Sequence, residues 1–247
     1  MANIKIQNLK KSFGETIAVD IPSFEINAGD MLGLVGNNGA GKTTLFRLML
    51  DLLQADDGQI SMEFANGVSI DPSKSEEWKH YTGAYIDDAF LIDFLTPEEY
   101  FQFVAQASDI PAADAEERIK RYEHFMQGEV LGQKKLIRDL SAGNKQKVGI
   151  VGAMLSQPDL LILDEPFNFL DPSAQIILKR LLTEYHQQTG ATIVISSHNL
   201  QHTIDISTRI ALLEHGHIVK DLPNEQGSAE QELEDYFSGQ TMEMPEE

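Results

Sequence analysis

The chain of 247 residues contains no cysteine. Disulfide bridges and thiolate chemistry are excluded, and seven scattered histidines without metal-ligand spacing give no case for zinc. Any metal used here is hard and oxygen-bound. Basic residues are scarce as well: 19 Lys and Arg stand against 39 Asp and Glu, a formal net charge of -20. That balance repels a phosphate backbone and an anionic lipid surface, so neither nucleic acid nor direct lipid binding is expected. Contact with a membrane is expected to run through another protein. No stretch approaches the ~18 consecutive apolar residues of a membrane span, and the start, MANIKIQNLKKSFGE, lacks the apolar segment and cleavage site of a signal peptide. A cytoplasmic protein is the expectation. Repeats and low-complexity segments are missing too, apart from an acidic end, TMEMPEE, read as an unstructured tail.

What is present is an ordinary globular apolar fraction of 42%, arranged in two periodicities. Residues 3–9 and 16–26 read as alternating strands, and MLGLV at 31–35 as a buried strand that runs into glycines and then a helix around Lys42. From about Thr96 to Ser156 the spacing turns helical: TPEEYFQFVAQ carries a first-turn proline, and AADAEERIKRYEHFM has apolar residues three and four apart. This block reads as an inserted helical subdomain. After it, LLILDE (160–165), TIVISS (192–197) and RIALLEHGHIV (209–219) read as strands, with a helical stretch between the first two. Strands alternating with helices imply an α/β core with parallel strands. The segment GSAEQELEDYFSG near the end looks helical, with no role legible in it.

Between the strand at 31–35 and its helix, Gly36, Asn37, Asn38, Gly39, Ala40, Gly41, Lys42 and Thr43 match G-x-x-x-x-G-K-[ST], and Thr44 follows as part of the same phosphate-binding loop. The chemistry is anion binding: the glycines let the backbone curl so that successive N–H groups face phosphate oxygens at the positive end of a helix. Lys42 is placed for the β- and γ-phosphates of a nucleotide, and Thr43 for Mg2+. A glycine-rich turn with an exposed lysine is the bland alternative, and the flanking strand and helix argue against it. In LLILDEP an apolar strand ends in two carboxylates, where open α/β sheets put their ligands. Asp164 suits the Mg2+ shell, and Glu165 is placed to orient, or take a proton from, the water that attacks the γ-phosphate.

The order of these elements resembles the ATP-binding-cassette (ABC) ATPases over nearly the whole chain. LSAGNKQ (140–146) resembles that family's signature, LSGGQ, with Ala142 and Asn144 in place of Gly and Gln. The resemblance implies that Ser141 and Gly143 contact the γ-phosphate of ATP held by the opposite subunit of a dimer. Ser141 and the N–H groups ahead of a helix starting near Asn144 also form an anion site on physical grounds, although the segment alone reads equally as an ordinary capped helix. NFLD (168–171) resembles the D-loop, which implies that Asp171 communicates across the dimer. In SSH (196–198), His198 resembles the switch histidine that contacts the γ-phosphate. Phe13 stands where the family places an aromatic that stacks on adenine; a core phenylalanine is the alternative.

One position departs from the family. Aligning GAYIDD (83–88) puts Asp87 where a Gln normally touches Mg2+ and the attacking water. A carboxylate can bind Mg2+ but cannot donate a hydrogen bond while ionised. An acidic residue here resembles the bacitracin- and lantibiotic-type exporter ATPases. The fold so implied is a P-loop NTPase (RecA-like) α/β core with a mainly parallel sheet, an N-terminal antiparallel β subdomain and an α-helical insert. The core would span about 1–86 and 157–225, the helical subdomain about 87–156, and a C-terminal helix and tail about 226–247.

The function so implied is ATP hydrolysis by a homodimer, or a pair with a paralogous cassette, peripheral on the inner face of the cell membrane through a transmembrane permease subunit. Tyr85, Phe90, Leu91 and Phe94 are candidates for a permease-docking groove, or equally for internal core. Two other classes compete: a soluble ABC ATPase driving a cytosolic assembly machine, and a P-loop kinase, which would need no signature motif.

Overall fold

The computed structural model describes residues 1–65 and 67–242. The last residues of TMEMPEE, 243–247, lie outside the described residues, and with them most of the expected tail.

Two sheets organise the molecule. The first is antiparallel, in the order β2-β1-β4-β5, from β1 (Ala2–Phe13), β2 (Thr16–Ile26), β4 (Asp57–Phe64) and β5 (Ser69–Ile70). The second has the order β10-β9-β3-β8-β7-β6. Its strands are β3 (Met31–Val35), β6 (Thr82–Tyr85), β7 (Leu160–Leu163), β8 (Thr192–Ser197), β9 (Arg209–Glu214) and β10 (His217–Pro223). Every pairing in it is parallel except β9 with β10. The stretch at 209–219 is therefore not one strand: His215 and Gly216, both at positive φ, turn it into a hairpin.

Strand alternation assigns the two faces of the parallel sheet. Leu161, Leu163, Ile193 and Ile195 join one core with the helices that follow β6. Leu160, Ile162, Val194, Leu32 and Leu34 join the other, with the antiparallel sheet and α1 (Lys42–Met49). A strand covered on both faces needs apolar residues at consecutive positions, which is why MLGLV and LLIL are unbroken apolar runs. Fully burying each Leu or Ile stabilises the fold by roughly 1.5–3 kcal/mol.

Between β6 and β7 lie α2 (Pro97–Ala107), α3 (Ala112–Arg121), α4 (Glu123–Met126) and α5 (Ala142–Leu155). Thr96 and Glu99 close a reciprocal capping box at the start of α2, with Pro97 at its first position. The helix expected through AADAEERIKRYEHFM breaks at Tyr122, whose buried ring donates its hydroxyl to the Met154 carbonyl of α5. The helix expected to start near Asn144 starts at Ala142, because Ser141 Oγ accepts the Asn144 N–H at 3.2 Å and so caps the turn before it. The chain closes with α6 (Pro172–Thr189), α7 (Leu200–Ile204) and α8 (Glu230–Met242). Asp171 caps α6 through hydrogen bonds from Ser173 and Ala174, and Gly190 ends it in the left-handed conformation. Leu233 of α8 is buried in a cluster with Val35 and Leu212.

Candidate functional site

Sheet register brings the motifs together. Val35 of β3 pairs with Ser197 of β8, and Leu163 of β7 pairs with both Ile195 of β8 and Tyr85 of β6. The residues that leave these strands, Gly36, His198, Asp164 and Ile86, thus emerge at one edge, the carboxyl edge of the parallel sheet.

The loop from Gly36 to Thr44 is shaped by close approaches that only glycine permits. A Cβ on Gly36 would lie 2.3 Å from the Leu213 carbonyl oxygen. One on Gly41, at φ 111°, would lie 2.2 Å from the Ala18 carbonyl oxygen. Helix α1 starts at Gly41 with no side-chain cap and no acidic residue in its first turn, leaving its positive end for an outside anion. Lys42 is buried, donating to the Gly36 carbonyl at 2.6 Å and lying 3.4 Å from Glu165 Oε1. Its charge therefore sits in the curl of the loop.

Thr43 Oγ1 donates to Asp164 Oδ2 at 2.5 Å, and Ser196 Oγ donates to Asp164 Oδ1. Burial raises the Asp164 carboxyl above the usual range, and the neighbouring Glu165 adds to the rise; the two hydroxyls and Lys42 oppose it. Glu165 follows at φ 46°, a left-handed conformation that costs a non-glycine residue on the order of 1–3 kcal/mol. Three bonds over-determine it. Its N–H donates to Ser196 Oγ at 2.8 Å, and its carbonyl accepts from Gln146 Nε2 and Asn168 N, each at 3.1 Å. His198 Nδ1 lies 2.8 Å from Glu165 Oε2, and the His198 N–H donates to the same oxygen at 3.3 Å.

The structure thus brings Lys42, Thr43, Asp164, Glu165 and His198 into one connected cluster. Ser196 completes it and was missed in the sequence; the available signal was a serine closing an apolar strand directly before His198. Asp87 lines the same cleft as Asp164, Glu165 and Gln146. Its Oδ1 accepts the Ala89 N–H at 2.6 Å and its Oδ2 lies 3.8 Å from Arg47 of α1.

The signature stands beside this cluster on the first turn of α5, where Ser141 is exposed. Gly143 packs on the D-loop: a Cβ there would lie 2.6 Å from the Phe169 carbonyl oxygen. Phe169 itself is 73% exposed at φ 62°. Phe13 is not a core phenylalanine; it is 54% exposed at the end of β1, with Lys11 Nζ 5.7 Å from its ring centroid. Its hairpin partner β2 carries Ala18, the residue against Gly41. The four residues expected in a docking groove divide. Tyr85 and Leu91 belong to the core, whereas Phe90 and Phe94 are exposed.

Oxygen donors suited to Mg2+ are present at Thr43 and Asp164. Among the described residues no group of three His, Asp or Glu could hold a metal alone. No helix of the described residues is long and apolar enough to cross a membrane.

The family model described as ABC transporter matches residues 19–168. The bacitracin transport ATP-binding protein BcrA of Enterococcus faecalis is 32% identical over 225 residues, 89% of this chain and 68% of its own length. The probable sulfate/thiosulfate import ATP-binding protein CysA of Chlorella vulgaris is 31% identical, covering 95% of this chain and 94% of its own. The methionine import ATP-binding protein MetN of Rhizobium johnstonii is 30% identical over 88% of this chain, which spans 60% of that protein. A solved ATP-binding subunit of an ABC transporter superposes with a TM-score of 0.81 at 27% identity, covering 96% of this chain and 99% of that one. The dimeric bacterial cassette MJ0796 shares the fold, with a TM-score of 0.79 at 20% identity over 90% of this chain and 99% of its own. With the matched model spanning more than half its length and relatives above 30% identity along most of it, the chain belongs to the ABC transporter family, as an ATP-binding cassette with ATPase activity.

Proposed function

We propose that two copies of this cassette, or one copy and a paralogue, close around two ATP molecules and drive export through a separate membrane-spanning subunit. The observation that carries the pairing is the division of phosphate-binding groups over two helix starts. One is the uncapped start of α1 with the buried Lys42, and the other is the start of α5 with the exposed Ser141 and the half-buried Gly143. Neither helix has an acidic residue in its first turn to compete with phosphate. In a pair, each ATP lies between one copy's Gly36–Thr44 loop and the other copy's LSAGN.

Within each site Lys42 leaves the Gly36 carbonyl and Glu165 for the β- and γ-phosphates, a stronger charge-assisted partner. That exchange frees Glu165 Oε1 to accept a proton from the water attacking the γ-phosphorus. The water oxygen bonds to phosphorus as the bond to the β-phosphate oxygen breaks, and ADP leaves with that electron pair. His198 holds Oε2, so the carboxylate keeps one orientation, and it also faces the γ-phosphate. Thr43 and Asp164, with Asp87 across the cleft, would hold Mg2+, which neutralises phosphate charge when bound. Phe13, exposed on the hairpin above Gly41, supplies a face for the adenine. Release of γ-phosphate removes the bridge between copies, and the pair opens.

Asp87 favours export, because an acidic residue in place of Gln resembles the bacitracin-type exporters, and one relative is named for bacitracin transport. Relatives named for methionine and sulfate import have comparable identity, so the membrane partner itself is the first thing to identify. The test is an affinity pull-down from detergent-solubilised native membranes with Glu165→Gln and Mg-ATP. A polytopic membrane protein is the expected partner, and exclusively soluble partners would overturn the transport assignment in favour of an assembly machine.

A further inference from the structure

Gln146 is only 5% exposed, and both ends of its amide are committed. Its Nε2 donates to the Glu165 carbonyl at 3.1 Å, and its Oε1 accepts the Tyr85 hydroxyl at 3.2 Å. The amide orientation is forced, because only an N–H can serve a carbonyl oxygen. Tyr85 is equally buried and is clamped by the same helix: a Cβ on Gly149 would stand 2.1 Å from its ring. The chain of bonds therefore runs from the end of β6, through α5, to the backbone of Glu165.

That backbone is where small displacements act most directly on the carboxylate. Glu165 is held at φ 46°, its N–H tied to Ser196 and its side chain to His198 and Lys42. Gln146 is a side-chain donor on its carbonyl, reaching in from a different structural layer. It also sits on the helix that Ser141 caps, so a tilt of α5 at its signature end moves Gln146 with it.

We propose that Gln146 is a positioning residue for Glu165, through which helix α5 couples its signature end to the glutamate of the same chain, with Tyr85 fixing the amide. In a closed pair, engagement of Ser141 with the partner's ATP thereby aligns Glu165 on its own. The two sites then fire as a coupled set. The proposal rests on the reading of Glu165 as the residue that orients the attacking water.

Three variants and a control test it in steady-state ATP hydrolysis, with thermal unfolding to establish folding. Gln146→Met keeps the length and removes both polar ends; kcat is expected to fall about tenfold while KM for ATP stays within about twofold, since the phosphate loop is untouched. Tyr85→Phe removes one hydroxyl and is expected to lower kcat about threefold. Gln146→Glu keeps the acceptor for Tyr85 but regains a donor only when protonated, and burial raises the pKa of such a carboxyl. Its activity relative to wild type is expected to rise as pH falls, which a purely structural role would not produce. Wild-type kcat in folded Gln146→Met, or a pH-independent ratio in Gln146→Glu, would overturn the coupling. If Gln146→Met does not fold, wild-type kcat in Tyr85→Phe overturns it instead. Glu165→Gln is run in parallel: normal turnover there sinks the underlying reading of Glu165, whereas its loss beside an active Gln146→Met sinks the coupling alone.

Discussion

Replacing Gly143 with alanine places a methyl group where the D-loop backbone already stands. Its Cβ would lie 2.6 Å from the Phe169 carbonyl oxygen, and ordinary contact begins at 3.4 Å, so the two segments must part by about 0.8 Å. Neither side is a flexible side-chain end. One is the first turn of α5, and the other is the backbone of a non-glycine residue at φ 62°. Overpacking of this kind costs about 1–3 kcal/mol, and each kcal/mol lowers the Tm of a chain this size by roughly 2–4 °C. The larger effect falls on catalysis. Asn168, next to Phe169, donates its N–H to the Glu165 carbonyl, so the displacement reaches the strained glutamate. Misplacement on the scale of 1 Å can cost ~10²-fold in rate, and a fall in turnover of about 10- to 100-fold is expected. Affinity of the isolated chain for ATP is expected to change less than about twofold, because Lys42 and its loop lie on other elements. Steady-state hydrolysis and calorimetric ATP titration of the folded variant measure the two quantities. Wild-type turnover would refute the claim that the signature and the D-loop are locked through this contact.

Lys42→Ala is expected to lower ATP affinity at least about tenfold in the same titration, since it removes the buried charge facing the phosphates; normal affinity would undercut the phosphate-loop assignment. Phe13→Ala should weaken nucleotide binding about three- to tenfold with no change in Tm, because the ring is exposed; a marked drop in Tm would return it to a packing role. Asp164→Asn should abolish Mg2+-dependent hydrolysis and yet stabilise the fold at neutral pH. The Asp164 carboxyl is raised above its unfolded value by burial, so its ionisation disfavours the folded state. The deficit is absent below the unfolded pKa, grows as pH rises through the folded pKa and is then complete, each unit of difference being worth about 1.4 kcal/mol. Thermal unfolding of both proteins from pH 3 to 8 measures the gap, and a gap that does not widen with pH would count against the assignment.

The parts of the fold that were legible in sequence are those where one local pattern has one structural meaning. MLGLV and LLIL are apolar without alternation because both faces of the parallel sheet are covered, and GNNGAGKTT between a strand and a helix stands in the context its phosphate-binding use requires. The hairpin within RIALLEHGHIV was missed because His215 takes a positive φ without being glycine, which leaves Gly216 as the lone signal in the string. The break at Tyr122 was hidden because its cause is a long-range hydrogen bond to Met154, invisible to helical spacing. Side-chain depth was the least legible property. Tyr85 closes β6 and Phe90 follows only five residues later, yet Tyr85 is 5% and Phe90 53% exposed, because glycine on α5 makes room for the first alone. Ser196 and Gln146 escaped notice as site residues for a related reason. Both hold Glu165 by its backbone, Ser196 at the N–H and Gln146 at the carbonyl, and only register and packing show which atoms a side chain reaches.

Sedimentation of Glu165→Gln with and without Mg-ATP tests most directly the claim that phosphate-binding groups split between α1 and α5 are reunited by a second copy. The expected result is a monomer that doubles in mass on adding Mg-ATP and reverts with Mg-ADP. A variant that binds ATP with undiminished affinity but stays monomeric in isolation and in equimolar mixture with any paralogous cassette would contradict it.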